Sequence, residues 1–314
     1  MVYRYLFLCL LVTLGGCATT THLQVPGGYC DPPLPYRYNA AFAPQPNFEA
    51  ALTPALLAHY PRRNLLTANA LGLLPALQEL LTLQAAARQH PGPAAELAVL
   101  RQRQLLLSQL TLAGTTIGSI AAELDCEGER ADQAAAYLQK LDDRRTQRLN
   151  VLSIGIGAAS GIGTTLFDDK PAQYAFGIGG GLLGAGFGLL TLRQQGHTAT
   201  FRHARNLLTD VWNEPTTSAS WPPSVWYMLT TPAFSNAGQT SLAHNTRQRW
   251  QHYDELSNPA SKHYQHLTSL LLGEGGSYGA DELTVRANML NELQSAVRLL
   301  DQELQGLLLL VNEQ

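Results

Sequence analysis

The sequence predicts an all-α protein of long helices, in a bundle or coiled-coil-like arrangement that carries a Gly-rich apolar helical hairpin. Three observations lead there. Apolar residues recur three and four apart through much of the chain, and no alternating run of useful length marks a strand. In addition, residues 151–192 hold two uncharged apolar stretches, VLSIGIGAASGIGTTL and YAFGIGGGLLGAGFGLLTL, joined by the turn FDDKPAQ.

Residues 1–16, MVYRYLFLCLLVTLGG, place a cation at Arg4 ahead of an apolar run and small residues ahead of Cys17, the pattern of a signal peptide. Leu14-Gly15-Gly16-Cys17 resembles the lipobox of bacterial lipoproteins. That resemblance implies that Cys17 is the lipidation site, carrying palmitate-type acyl chains as the mature N terminus. Two or more such chains hold a protein firmly to lipid. Ala18 follows the cysteine with no aspartate beside it, so the resemblance implies delivery to the outer membrane, facing the periplasm.

A formal charge of -3 with 14% charged residues supplies no basic surface for nucleic acid. Of four cysteines, Cys9 leaves with the signal and Cys17 is the lipidation candidate, which leaves Cys30 and Cys126 as a disulfide candidate in an oxidising compartment. The alternative is two unpaired thiols. No close Cys/His spacing suits zinc, and no cofactor or metal is expected.

Residues 17–54 are rich in Pro, Thr and Gly and should run extended, as a lipidated tether. Residues 55–150 read as a helical domain: two short helices between Leu56 and Gln89, with Asn64 as a cap and Pro75 in a first turn, and a long helix from Ala94 to Asn150. Its stripe is Leu97, Leu100, Leu107, Ile117, Ala121 and Leu124, then Tyr137, Leu141 and Leu152, with a kink at Cys126-Glu127-Gly128; Gly114 and Gly118 invite a second helix. Residues 193–314 form a C-terminal helical domain, with helices over Thr198–Asn213, Ser241–Leu256, Ser261–Leu272 and Asp281–Val311. In the last, Leu290, Leu293, Val297, Leu300, Leu304, Leu307 and Val311 make a coiled-coil-like seam, for pairing within the chain or between copies.

At about 1.5 Å per residue the second hairpin arm spans roughly 28 Å and the first roughly 24 Å, against a hydrocarbon core of about 30 Å. Glycine weakens a helix in water, so its density here calls for close helix approach. Gly157/Gly161, Gly177/Gly181, Gly180/Gly184 and Gly184/Gly188 have the four-residue spacing that lets helices pack in lipid. Together with the lipobox, these repeats resemble the glycine-zipper lipoproteins of the rickettsial surface-antigen type. The resemblance implies an envelope protein whose hairpin oligomerises in the membrane. Arg144, Arg145 and Arg148 before the hairpin and Arg193 after it form a basic collar suited to anionic headgroups, with Asp168-Asp169-Lys170 at the far face. Two other readings stay open: a soluble hairpin nested against the Gly114/Gly118 face, and a loop that inserts only within an assembly.

Catalytic signals are weak. Gly275-Gly276-Ser277-Tyr278-Gly279 fits GxSxG, but no histidine follows it, and the stretch reads as a loop before the last helix. It also lacks the Gly-Lys-Ser/Thr ending of a phosphate cradle and carries Glu274. His263 and His266, with His244 and His252 nearby, lack an acidic partner in HExxH spacing and read as solvated side chains. Asp142-Asp143 beside Arg144-Arg145 reads as a salt-bridged face. Trp212, Trp221, Trp226 and Trp250 read as core filling, or else as a partner-binding patch.

The expectation is therefore a non-enzymatic, lipid-anchored envelope protein, a structural or assembly component whose partners are membrane lipid and either further copies of itself or an envelope complex. The alternatives are an oligomeric pore or channel element and a C-terminal hydrolase or ligand-binding domain.

Overall fold

The computed structural model describes residues 23–32, 40–192, 196–203, 205–236, 238–253 and 256–313. The signal peptide, the lipidation candidate Cys17 and the collar residue Arg193 lie outside them. The protein is all-α, with little strand. In chain order the elements are β1 (Leu23–Val25), α1 (Pro54–His59), α2 (Arg62–Ala70), α3 (Leu74–Gln89), α4 (Pro93–Leu166), α5 (Lys170–Leu192), β2 (Ala199–Arg202), α6 (Leu207–Asn213), α7 (Pro223–Thr230), α8 (Leu242–Tyr253), α9 (Lys262–Leu272), β3 (Gly275–Tyr278), α10 (Ala280–Arg298) and α11 (Leu300–Glu313). The strands form one small sheet in the order β1-β2-β3.

Two compact units divide the chain. One comprises residues 136–200 with short pieces near Val25 and Ser277, and holds the hairpin; the other comprises residues 26–135, 201–276 and 281–314 and holds the main core.

The larger unit is built on leucine. On α4 the buried positions include Leu106, Leu110, Ile117, Ile120, Ala121, Leu124 and Ala131, with Leu110, Ile117, Leu124 and Ala131 recurring every seven residues, a coiled-coil period. The expected stripe holds at Ile117, Ala121 and Leu124, but Leu97, Leu100, Tyr137 and Leu152 are exposed. Helix α4 is not divided at Cys126-Glu127-Gly128, and Gly128 lies inside a packed interface: a Cβ there would come within 2.8 Å of Asn291 Oδ1 on α10. The face at Gly114 is occupied by Leu304 of α11, whose Cδ1 lies 3.7 Å from where a Cβ would stand.

All seven residues of the C-terminal seam are buried. The predicted single helix instead breaks at Leu299 into α10 and α11, and Asp301 and Glu303 fall in the new first turn, where a helix N terminus favours acids. The Trp quartet is buried core. Trp221 donates Nε1 to Leu207 O and Trp226 donates Nε1 to Pro215 O.

Several expectations are corrected. Three short helices rather than two precede α4; Asn64 lies inside α2, and the cap position is Pro61. The predicted helix over Thr198–Asn213 is strand β2 followed by α6, which Asn206 caps by accepting the Leu208 N–H. The loop at Gly275–Tyr278 is strand β3. Within 17–54 the arm makes specific contacts at several points: β1 joins the sheet, Gln45 exchanges hydrogen bonds with the buried Asn69 side chain, and Gly72, at φ +64°, lets the Phe42 backbone pack directly on it. Cys30 and Cys126 are disulfide-bonded, with Cα atoms 5.7 Å apart.

Candidate functional site

The hairpin unit is two antiparallel helices, the last turns of α4 and the whole of α5. Ser153 Oγ donates to Gly184 O at 3.3 Å, and Ser160 Oγ donates to Phe176 O. A Cβ on Gly177 would touch Thr164, one on Gly180 would strike the Ser160 side chain, and one on Gly184 would lie 4.0 Å from Ser153 Oγ. Ser153, Ser160 and Thr164 therefore fit against Gly177, Gly180 and Gly184 as small knobs against bare backbone. The other four glycines of the expected packing set, Gly157, Gly161, Gly181 and Gly188, meet nothing within 4 Å. Gly163, absent from that set, lies under the Phe176 ring. At roughly 100° per residue the four-residue spacing drifts off the contact face, which is why it names only some of the contacts.

At the tip, Phe167 stacks on Phe176 with centroids 5.2 Å apart, and Gln173 donates to Phe167 O. Along both arms large apolar side chains face outward, with Ile154 at 72%, Leu166 at 74% and Leu182 at 70% exposure. Among the described residues, one helix, α4, is long and apolar enough, by length and composition, to cross a membrane.

The legs of this unit are clasped by one acid. Asp142 accepts the His197 backbone N–H at 3.0 Å and meets His197 Nδ1 at 2.5 Å. The expected pairing of Asp142-Asp143 with Arg144-Arg145 does not occur. Arg144, Arg145 and Arg148 are exposed, and none forms an ion pair with a described residue.

In the larger unit, a buried polar cluster lies beside the disulfide. Arg205 Nε sits 2.8 Å from Glu123 Oε1, and Arg130 pairs with Glu127 and donates to Pro26 O. The Arg130 and Arg286 guanidiniums lie 5.2 and 5.8 Å from the centroid of the Phe201 ring. Arg286, fully buried, donates to Leu271 O at the end of α9, where Asn206 and Thr209 also bond to carbonyls. Burial, with Arg286 and Arg130 nearby, pushes His203 down to about 3, so its ring is neutral at pH 7. A base that weak takes up no proton near neutrality. The cavity among Glu123, Glu127, Arg205 and Arg286 measures about 10 Å³, room for about one water. These residues come from three distant segments, and no local motif announces them.

Ser277 stands exposed in β3, and His266 Nε2 pairs with Glu282 Oε1 at 2.8 Å. Among the described residues, no group of three or more His, Cys, Asp or Glu side chains is placed to hold a metal ion. A groove of about 600 Å³ beside His59, Arg88, Glu96 and Leu100 is wide open. No protein-family model matches the chain, and no curated protein or solved structure matches it either.

Proposed function

We propose that this is a non-enzymatic, lipid-anchored protein of the bacterial envelope, a structural or assembly component whose α4–α5 hairpin lies in the membrane while the larger unit stays in the periplasm. The observation that carries the reading is the exposed apolar surface on both hairpin arms. Side chains such as Ile154, Ile162, Ile178 and Leu182 each cost roughly 1.5–3 kcal/mol in water relative to burial, and a bilayer removes that cost. The first arm carries no charge from Val151 to Leu166, and the charged turn Asp168-Asp169-Lys170 lies at its end, in keeping with a span. Lipidation at Cys17 in the outer membrane's inner leaflet and self-association through the hairpin belong to the same proposal.

A pore finds less support. The hydroxyls of Ser153 and Ser160 bond across the arms, and those of Thr164 and Thr165 bond back to carbonyls of their own helix, so these four are already engaged within the hairpin. The test is single cysteines placed through residues 151–192 in intact envelopes. Protection of both arms from a water-borne thiol reagent, with labelling at the turn, is the expected result; uniform labelling would refute insertion. Ion leakage from liposomes holding the purified protein would favour the pore.

A further inference from the structure

Tyr137, Lys140, Arg144 and Arg148 stand at i, i+3, i+7 and i+11 on α4, so they share one helix face, with Arg145 beside it. All five are exposed. No described residue forms an ion pair with any of the four cations. Asp142, on the opposite side of the helix, is turned to His197, while Asp143, three residues after Lys140 and on the flank away from Arg145, is the one exposed acid beside the strip and leaves it net positive. The face continues into Val151 and Leu152, both exposed, where the uncharged stretch begins. A run of four unneutralised cations therefore ends where the apolar surface starts, and an amphipathic tyrosine stands at its head.

We propose that this face is a docking strip for the phosphate headgroups of anionic phospholipids, in the leaflet through which the hairpin enters. Charge complementarity names the occupant. The strip from Lys140 to Arg148 is about 12 Å long, and the interfacial layer of a bilayer is roughly 5–8 Å deep, so Arg144, Arg145 and Arg148 reach headgroups while Val151 meets acyl chains. Arginine forks match phosphate oxygens. The proposal rests on the hairpin reading above, and to the expected collar of Arg144, Arg145 and Arg148 it adds Tyr137, Lys140 and an insertion depth.

The experiment uses the full chain with Cys17→Ser, so that acyl chains do not mask the effect, and vesicles of phosphatidylcholine alone or with one third phosphatidylglycerol. Partition into the anionic vesicles should be stronger by roughly a hundredfold, each of Arg144→Gln, Arg145→Gln and Arg148→Gln should lower it about fivefold, as expected for a cation near an anionic surface, and Lys140→Gln, farther from the headgroups, should lower it less. The quadruple variant should match neutral vesicles, while its melting and its neutral-vesicle partition stay unchanged. Arg88→Gln with Arg101→Gln should change nothing. Equal partition into both vesicles, or an anionic preference that survives the quadruple substitution, overturns the strip and leaves the hairpin reading intact. Competition by inorganic phosphate beyond that of chloride at equal ionic strength overturns it in favour of a free-anion site. Loss of neutral partition alone refutes the hairpin instead, and binding to neither vesicle refutes both.

Discussion

Helix α4 carries two apolar stretches of similar character that meet different surroundings. Between Leu105 and Leu124 it offers Leu106, Leu110, Ile117, Ile120 and Leu124 to the core of the larger unit, and these are buried. From Val151 to Leu166 it packs on α5 through Ser153, Ser160, Thr164 and Gly163, while Val151, Ile154, Ile162 and Leu166 face outward. Composition does not separate the two. What separates them is the partner: the first stretch has bulky residues at the heptad positions and several helices to cover them, whereas the second has small residues at its contact face and a single Gly-rich neighbour.

The comparison can be broken first at the covalent tie of the first stretch. Cys126→Ser opens a loop of 96 residues. It should destabilise the larger unit by about 4–5 kcal/mol in urea unfolding on the loop-entropy view, with hairpin protection in membranes unchanged. Acid should act on the same unit through His203. The folded-state value of His203 is about 3, below its unfolded value of about 6.5. Its contribution is therefore fully present above pH 6.5 and is lost as pH falls towards 3, up to roughly 4 kcal/mol. Unfolding midpoints taken across that window should fall, and His203→Phe should flatten the dependence.

Matched truncations sharpen the contrast further. Ile117→Ala should cost about 2–4 kcal/mol by leaving a cavity, whereas Ile162→Ala should change detergent-phase stability by less than about 0.5 kcal/mol, since its side chain faces outward. Equal losses at the two sites would mean that the hairpin is packed like a core. The smallest effect is local. Gly180→Leu should splay the arms and abolish disulfide trapping between Thr164→Cys and Gly177→Cys, while Gly188→Leu, in open space, should leave the trap intact.

Much of the helical framework was legible because periodicity over many residues leaves little ambiguity. The seam from Leu290 to Val311 repeats three and four apart, and every member is buried. The strands were not legible. Ala199-Thr-Phe-Arg alternates buried and accessible residues, but over four positions that signal is indistinguishable from a helix end. The Asn64 cap failed because Thr53 and Pro61 set the helix starts instead. Within the candidate site, the apolar arms and the basic residues before them stand out in the sequence. Which glycines touch, that Asp142 turns to His197 rather than to Arg144 or Arg145, and the Arg130–Phe201–Arg286 stack depend on side chains brought together across long separations.

By itself the sequence determined the helical class, the two uncharged arms and their turn, the C-terminal seam and the basic run ahead of the hairpin, because each is written in neighbouring residues whose spacing has one physical meaning. Only the tertiary structure decided which apolar stretch of α4 is covered, which glycines carry contacts and which charges are left without partners. Those outcomes depend on what lies within a few ångströms in space, and residues as far apart as Glu123 and Arg205, or Arg130 and Arg286, become neighbours only when the chain is folded.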